Sequence, residues 1–213
     1  MESMIQSSRI KGFVFDSVRR EVSQSFGIDA LDIVLLPFVE DNEAARKALL
    51  DPEVSALYPE AWMHDMIAQI HRELCVGDDA AFSEFVRGLA ASAVNRFFKV
   101  ILSLTSGAFV VRRIPLFFKR LRDGPAILTV HPTDEVFEIR YRRFPWCGDP
   151  TYRLTSMANV QSAVRAATKR FPAVWVERQD DTGMDIRIDL EGGDDSLSAL
   201  PRSSEAPVAA DED

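Results

Sequence analysis

The sequence has few of the residues that carry chemistry, with only two cysteines and three histidines among 213 residues. Cys75 and Cys147 lie far apart and form no CxxC pair, which excludes a disulfide framework or a zinc knuckle, and we expect both thiols to be reduced. His64 and His71 are seven positions apart, too far along a helix for the i, i+4 chelation of one metal ion. His131 stands alone at a strand end. The spacing therefore predicts no metal site and indicates surface or packed histidines.

Recognised catalytic motifs are also missing. The chain has no Gly-rich phosphate loop, no GxSxG elbow and no HExxH pair, which excludes the enzyme classes that these motifs define. His64 and Asp65 are neighbours in sequence, but adjacent residues of a helix diverge by about 100° and do not meet. We therefore expect a non-enzymatic protein with no catalytic residues.

No segment approaches the roughly 20 consecutive apolar residues that a membrane-spanning helix needs. The opening residues 1–11 are polar and contain no apolar run of signal-peptide length. These two absences predict a cytoplasmic protein that does not contact membranes.

Charge is distributed unevenly along the chain, whose net charge is -8. Residues 96–170 hold 14 basic and five acidic residues, a net charge of +9, whereas residues 191–213 hold one basic and seven acidic residues. The acidic segment is rich in Ser, Ala and Pro and has little to bury, which predicts a disordered tail at 191–213 and one domain at 1–190. Such a tail either only solubilises the protein, or folds back on the basic segment, or competes there with an acidic partner.

Residues 10–122 show helical periodicity. Gly27 is well placed to end the first helix, Asp41 to cap the third, and Pro115 to kink or split the last one between Arg113 and Leu116. The predicted helices cover residues 11–26, 31–38, 42–50, 59–74, 80–104 and 106–122.

Residues 126–190 instead show the alternation of strands, interrupted by one helical segment. Thr155 is a suitable cap for that helix and Pro172 a suitable stop. In the last strand, residues 184–190, acidic and basic side chains such as Asp185 alternate with apolar ones, which predicts one solvated face. The sequence thus predicts an α+β fold in which an N-terminal helical subdomain (10–122) packs on a C-terminal four-stranded antiparallel sheet (126–190) of ββαββ order.

Residues 9–190 resemble a known fold. The run Ile10-Lys11-Gly12-Phe13-Val14-Phe15, with Phe26-Gly27 downstream and the closing ββαββ unit, is similar to heme nitric oxide/oxygen-binding domains and to vinyl-reductase-type small-molecule-binding domains. The Tyr58-Pro59-xx-Trp62 start of a helix more specifically resembles an uncharacterised bacterial family of myxobacterial type. The resemblance implies a regulatory or sensory domain that binds a small molecule between helices and sheet.

The resemblance also implies where heme would be held. Heme-binding members have an axial histidine on the helix before the sheet, and the matching window 113–121 contains none. Their Tyr-x-Ser-x-Arg run corresponds here to Tyr141, Arg143 and Pro145, so that only the tyrosine is shared. We therefore expect no cofactor, with heme disfavoured, although the three arginines of this strand could receive another anionic group. These arginines are Arg140, Arg142 and Arg143.

The chain has 14 phenylalanines against three tyrosines, and many of them lie in the central helices. Under the sensory hypothesis they line a pocket with a cationic mouth. The alternative, that they are ordinary core residues, stays open. The proposed ligand-binding residues are Phe97, Phe109, Phe117, Phe118, Tyr141 and Arg143.

A second hypothesis is a protein–protein interaction or adaptor module, or a homodimer, that uses the basic 96–170 segment. The overall pI of about 5.0 and the lack of a helix-turn-helix or RNP signal argue against nucleic-acid binding. The cations could equally well extend from an ordinary amphipathic helix around buried aromatic residues. The basic surface is predicted to consist of Arg112, Arg113, Lys119, Arg120 and Arg122.

Overall fold

A computed structural model describes residues 2–36, 42–97, 106–133 and 136–193. The helices are α1 (Glu2–Ser7), α2 (Gly12–Phe26), α3 (Ala30–Leu35), α4 (Glu43–Leu50), α5 (Glu60–Gln69), α6 (Asp79–Phe97), α7 (Gly107–Leu121) and α8 (Pro150–Thr168), with a π-helical turn at Ile70–Leu74. The strands are β1 (Arg9–Lys11), β2 (Leu57–Pro59), β3 (Arg122–Asp123), β4 (Ile127–Pro132), β5 (Phe137–Arg142), β6 (Ala173–Gln179) and β7 (Met184–Asp189).

This mixture of helices and antiparallel sheets confirms the predicted α+β class. The predicted helical residues 98–104, the Asp41 cap and tail residues 194–213 lie outside the described residues. That residues 1–190 form one domain stays a prediction. No helix in the described ranges is long and apolar enough to cross a membrane.

A small antiparallel sheet of order β2-β1-β3, which the sequence did not reveal, ties the helical part together. Ile10 of β1 is opposite Tyr58 of β2 on one side and Arg122 of β3 on the other. Because β1 leads into α2, β2 leads into α5, and β3 follows α7, this sheet brings one end of each of these three helices to the same place. It thereby positions the site described below.

The larger sheet has the order β4-β5-β7-β6, with every neighbouring pair antiparallel. Tyr141 of β5 is opposite Leu128 of β4 and Met184 of β7. The side chains of Ile139, Met184 and Ile186 are fully buried. Between β5 and β6 the chain forms α8, which packs against α6 and α7.

The structure corrects the predicted start of α8. The helix begins at Pro150 and is capped by Asp149, whose Oδ1 accepts a hydrogen bond of 2.7 Å from the backbone N–H of Thr151. Asp before Pro is a favourable start, because the side chain satisfies a free helical donor and Pro has none to lose. Thr155 lies within the helix, where its hydroxyl donates to the carbonyl of Thr151 at 2.8 Å.

Other predicted helix boundaries have mixed outcomes. Gly27 ends α2 with a φ of 89°, as predicted, a conformation that glycine adopts without steric cost. The cap of α4 is Asn42, whose side chain accepts from the N–H of Ala45 at 2.8 Å. The predicted split at Pro115 is wrong, since α7 runs without interruption through it. A proline removes one donor, and the buried residues on either side of it hold the helix in place.

Candidate functional site

A cavity of about 320 Å³ lies where α2, α5, α6, α7, α8 and β5 meet, and its lining is mostly apolar. Sites for small ligands typically span about 300–1,000 Å³ and combine apolar walls with a few polar groups. The cavity is therefore a ligand-sized site at the lower end of this range.

Three of the six proposed ligand-binding residues line this cavity, namely Phe117, Phe118 and Tyr141, and so do Arg120 and Arg122 of the predicted basic surface. The Phe118 ring is in edge contact with the rings of Tyr141 and Phe144, at centroid distances of 5.8 and 6.0 Å. Burial raises the pKa of Tyr141 to about 12, so that its hydroxyl stays protonated at neutral pH. Together, Phe117, Phe118 and Tyr141 make an aromatic wall that carries one hydroxyl group.

The other three proposed ligand-binding residues are elsewhere or not described. Phe109 is 41% exposed and does not line the cavity, and the guanidinium carbon of Arg113 lies 5.1 Å from its ring centroid. Arg143 is exposed, follows the end of β5 and has a φ of 56°. The backbone of Phe97 ends α6, but its side chain is not among those that the structure describes.

A buried ion pair between Glu60 and Arg122 contributes to the lining of the cavity. Arg122 Nε lies 2.5 Å from Glu60 Oε1, and its guanidinium carbon lies 4.5 Å from the ring centroid of Phe118. Burial acts to lower the pKa of Arg122, but the Glu60 carboxylate and the nearby tyrosine hydroxyls outweigh it, so that this pKa is raised. Arg122 is therefore partly buried, with 20% of its side chain exposed, and it lines the cavity because β3 pairs with β1.

His64 is one helical turn after Glu60 on α5 and also lines the cavity. It is 9% exposed, and its ring centroid lies 4.7 Å from that of Trp146 and 5.8 Å from that of Tyr152. His64 Nδ1 lies 3.5 Å from Asp149 Oδ2, whereas Nε2 is buried without a hydrogen-bond partner. Burial lowers the pKa of His64 to about 4, against the opposing effect of Asp149. The imidazole is therefore neutral at pH 7, with one nitrogen available.

The sequence did not identify His64 as a site residue. Its best signal was the i, i+4 spacing of Glu60 and His64, which places two polar residues on the same face of a helix. Asp149, which explains the orientation of the ring, is distant in sequence and becomes a neighbour only through the fold.

Within the described ranges, no group of three or more His, Cys, Asp or Glu residues is arranged to hold a metal ion. His71 is separate from His64, and its Nε2 lies 3.0 Å from Asp79 Oδ1. Burial raises the pKa of the Cys75 thiol to about 11 and that of Cys147 to about 12. These groups offer no second reactive centre beside the cavity.

The arginines of β5 are paired within the sheet. Arg140 donates to Glu138 at 2.8 Å, and Arg142 donates to Asp185 of the neighbouring strand. Asp185 is only 7% exposed, so the predicted solvated position for this residue is wrong. The cross-strand arginine explains this difference, since it satisfies the carboxylate that the alternation pattern assigns to solvent.

The four remaining residues of the predicted basic surface, Arg112, Arg113, Lys119 and Arg120, are exposed on α7. Within the described part of the chain, none of them forms an ion pair with a carboxylate. Leu116, on the same helix, is also exposed. These residues form one exposed, cationic helix surface, which we call the α7 surface.

Comparison with known proteins shows similarity in structure. No protein-family model and no curated protein matches the chain. The Fe(II) unliganded H-NOX protein of K. algicida matches with a TM-score of 0.59 and 11% identity, over 84% of this chain and 96% of that chain. An H-NOX variant of T. tengcongensis matches with 0.60 and 12%, over 86% and 99%. An H-NOX variant of S. oneidensis matches with 0.59 and 14%, over 87% and 98%.

At these identities the matches show the fold, and they confirm the resemblance to H-NOX domains at that level. The resemblance to vinyl-reductase-type domains and to a bacterial family stays a prediction. Two other matching structures come from studies of heme, one on heme distortion in the H-NOX family and one on heme redox potential. The expectation of no cofactor, with heme disfavoured, is therefore wrong, because solved proteins of this fold hold heme. That expectation considered only the window 113–121 for the axial ligand, and His64 was considered only for chelation of a metal ion together with His71.

Proposed function

We propose that this protein is a non-catalytic sensory domain that binds a small molecule in the cavity between its helices and its larger sheet. The observation that carries the proposal is the buried, neutral His64 whose Nε2 has no partner beside an apolar cavity. A buried polar atom without a hydrogen bond costs about 1–3 kcal/mol, so that a native structure retains one for a reason. A ligand that engages this nitrogen supplies the reason.

Heme is the cofactor that we propose for this site. The lining residues suit it in three respects, and because a porphyrin is larger than a cavity of about 320 Å³, part of the ring would extend through the open side of the cavity. Iron requires an unprotonated imidazole nitrogen, and the pKa of about 4 keeps His64 neutral. A porphyrin would bring four nitrogen ligands for its iron, so that one protein nitrogen would suffice where a bare ion would need several. The aromatic wall formed by Phe118 and Tyr141 is suited to a flat apolar ring. When bound, heme iron offers a position for a further small ligand.

We predict that the protein takes up hemin and that His64 is required. After addition of hemin and desalting, the wild-type protein should show a Soret band. Replacing His64 by Ala should weaken hemin binding by at least about tenfold, because even partners behind a metal ligand contribute 10–100-fold. Absorption titration measures both proteins.

A variant that fills the cavity tests independently whether hemin binds there. Ala163 lines the cavity and Ala166, on the same helix, does not. Ala163→Phe should abolish hemin binding, whereas Ala166→Phe should retain it at a similar urea midpoint. Absence of a Soret band in the wild-type protein would sink the heme proposal, and native mass spectrometry would then search for a smaller occupant. If neither is found, the sensory proposal fails as well.

The α7 surface supports a second candidate function, contact with an acidic protein partner. Four exposed cations beside the exposed Leu116 are suited to an interface with an electrostatic rim. Recovery of a partner by the wild-type protein in a pull-down should fall steeply with added salt, and replacing the four cations by Glu should abolish it. Arg20→Glu is a matched control, because Arg20 is exposed on α2 and pairs with Asp16. Equal recovery by both variants would contradict this candidate.

A further inference from the structure

We propose that Asp149 is a positioning residue for the cavity: it holds His64 in the tautomer with the proton on Nδ1 and so makes Nε2 the atom presented to a ligand. This inference rests on the proposed function, since it assigns how the same site is prepared for its ligand. It concerns two residues that meet only in the fold.

Asp149 is itself held firmly. It is the N-cap of α8, and its Oδ1 accepts a hydrogen bond from the Thr151 N–H at 2.7 Å. Its backbone N–H donates to the carbonyl of Trp146 at 3.1 Å, and its carbonyl accepts from the N–H of Arg153 at 3.1 Å. With one carboxylate oxygen and the backbone fixed, the second oxygen, Oδ2, is directed toward His64.

The imidazole is also restrained from the sides. The rings of Trp146 and Tyr152 lie near it, and the side chain is more than nine-tenths buried. Its Nδ1 lies 3.5 Å from Asp149 Oδ2, which is longer than the usual 2.7–3.2 Å of an N–H···O bond. At this distance Asp149 acts on the imidazole through its charge.

The chemistry of the pair decides the tautomer. An ionised carboxylate only accepts hydrogen bonds, so the nitrogen that faces it must carry the proton. A neutral imidazole has one proton, and with that proton on Nδ1 the lone pair is on Nε2, the buried atom that lacks a partner. A carboxylate behind a histidine in this way fixes the ring and raises its basicity as a metal ligand. The site is thus prepared for an electron-pair acceptor, which under the proposed function is heme iron.

Asp149→Asn is the sharpest test. Asn keeps an oxygen that can cap α8 and is as good a cap as Asp, but it places an NH₂ donor where Oδ2 was. His64 Nδ1 must then accept, and the proton moves to Nε2. We expect ¹⁵N chemical shifts of the His64 imidazole in the ligand-free protein at pH 7 to report Nδ1–H in wild type and Nε2–H in the variant. With three histidines in the chain, single His→Gln variants assign the signals.

Hemin binding provides the second readout. Asp149→Asn should weaken hemin binding by about 10–100-fold while the urea midpoint stays near that of wild type. Asp149→Ser, which keeps a cap and presents nothing to His64, should give a mixture of tautomers and an intermediate affinity. A merely structural role for Asp149 would move the urea midpoint and leave the tautomer unchanged.

The two proposals fail in different ways. If ligand-free wild type carries the proton on Nε2, or if Asp149→Asn leaves the tautomer as it was, the inference about Asp149 is overturned whatever the protein binds. If the tautomers are as expected but wild type binds no hemin, the heme proposal falls and the positioning role stands. In that case the ligand to seek is an apolar molecule with an O–H or N–H donor for Nε2.

Discussion

Replacing Arg122 by Met is expected to destabilise the protein by about 3–5 kcal/mol, the usual effect of removing one partner of a buried ion pair. Glu60 is only 4% exposed, and Arg122 is the cation that pairs with it at 2.5 Å. Met retains an apolar contact with Phe118, so that the loss comes mainly from the charge. Urea unfolding at pH 7, with an unchanged m-value, measures it.

The pH dependence of this variant gives a further check. Burial raises the pKa of Glu60 above the ordinary glutamate value of 4.5 even with Arg122 present, and removal of the cation raises it further. A raised carboxyl pKa means that the folded state binds its proton at a higher pH than the unfolded state. The loss of stability caused by Arg122→Met should therefore be complete above the pKa of Glu60 in the folded variant. It should diminish as the pH falls toward the ordinary glutamate value of 4.5. A penalty that is independent of pH would contradict this explanation.

The matched control is the double variant Glu60→Gln with Arg122→Met, which leaves no unpaired charge. It should be more stable than Arg122→Met alone, because the effects of two residues in contact are not additive. If Arg122→Met costs less than about 1 kcal/mol, the pair behaves like an exposed salt bridge. The Glu60–Arg122 ion pair would then contribute little to the stability of the site.

Arg122 also shows why the sequence predicted only part of the site. Lys119 and Arg120 precede it, so that the local pattern indicates a basic helix end. Its burial depends on β3, a strand of two residues that pairs with β1. Such a strand is too short to show alternation, and its partner is distant in sequence. Phe118 and Tyr141, by contrast, were predictable because helical periodicity and strand alternation already place them toward the interior.

His64 illustrates the same limit. Helical spacing could show that it shares a face with Glu60, but its depressed pKa and its free nitrogen depend on Trp146, Asp149 and Tyr152, which follow β5. The expectation about heme failed for a related reason. The comparison asked only whether a histidine occurs in the window 113–121, which lies on α7. The fold allows a histidine of another helix, such as His64 of α5, to face the same cavity.

Acidification should destabilise the ligand-free protein through His64 by up to about 3 kcal/mol, the free energy that corresponds to a shift from 6.5 to about 4. Because the folded pKa is depressed, the unfolded state binds the proton first. The contribution of neutral His64 to the free energy of unfolding is thus complete above about pH 6.5 and is lost as the pH falls to about 4. Below that value it changes no further. Of the charged groups around the ring, Asp149 opposes this shift and Arg122 reinforces it.

His64→Leu isolates the effect, because carboxylates that titrate in the same range do so in both proteins. The free energy of unfolding, measured by urea at intervals from pH 7.5 to 4, should fall more steeply in wild type, and the difference should develop mainly between pH 6.5 and 4. Parallel profiles would show that His64 is hydrated or already paired, and the free Nε2 on which both proposals depend would be lost. Asp149→Asn should lower the pKa of His64 further, because it removes the opposing carboxylate, and so extend the slope to lower pH. These profiles require no ligand, and they therefore test the prepared state of the site separately from what the site binds.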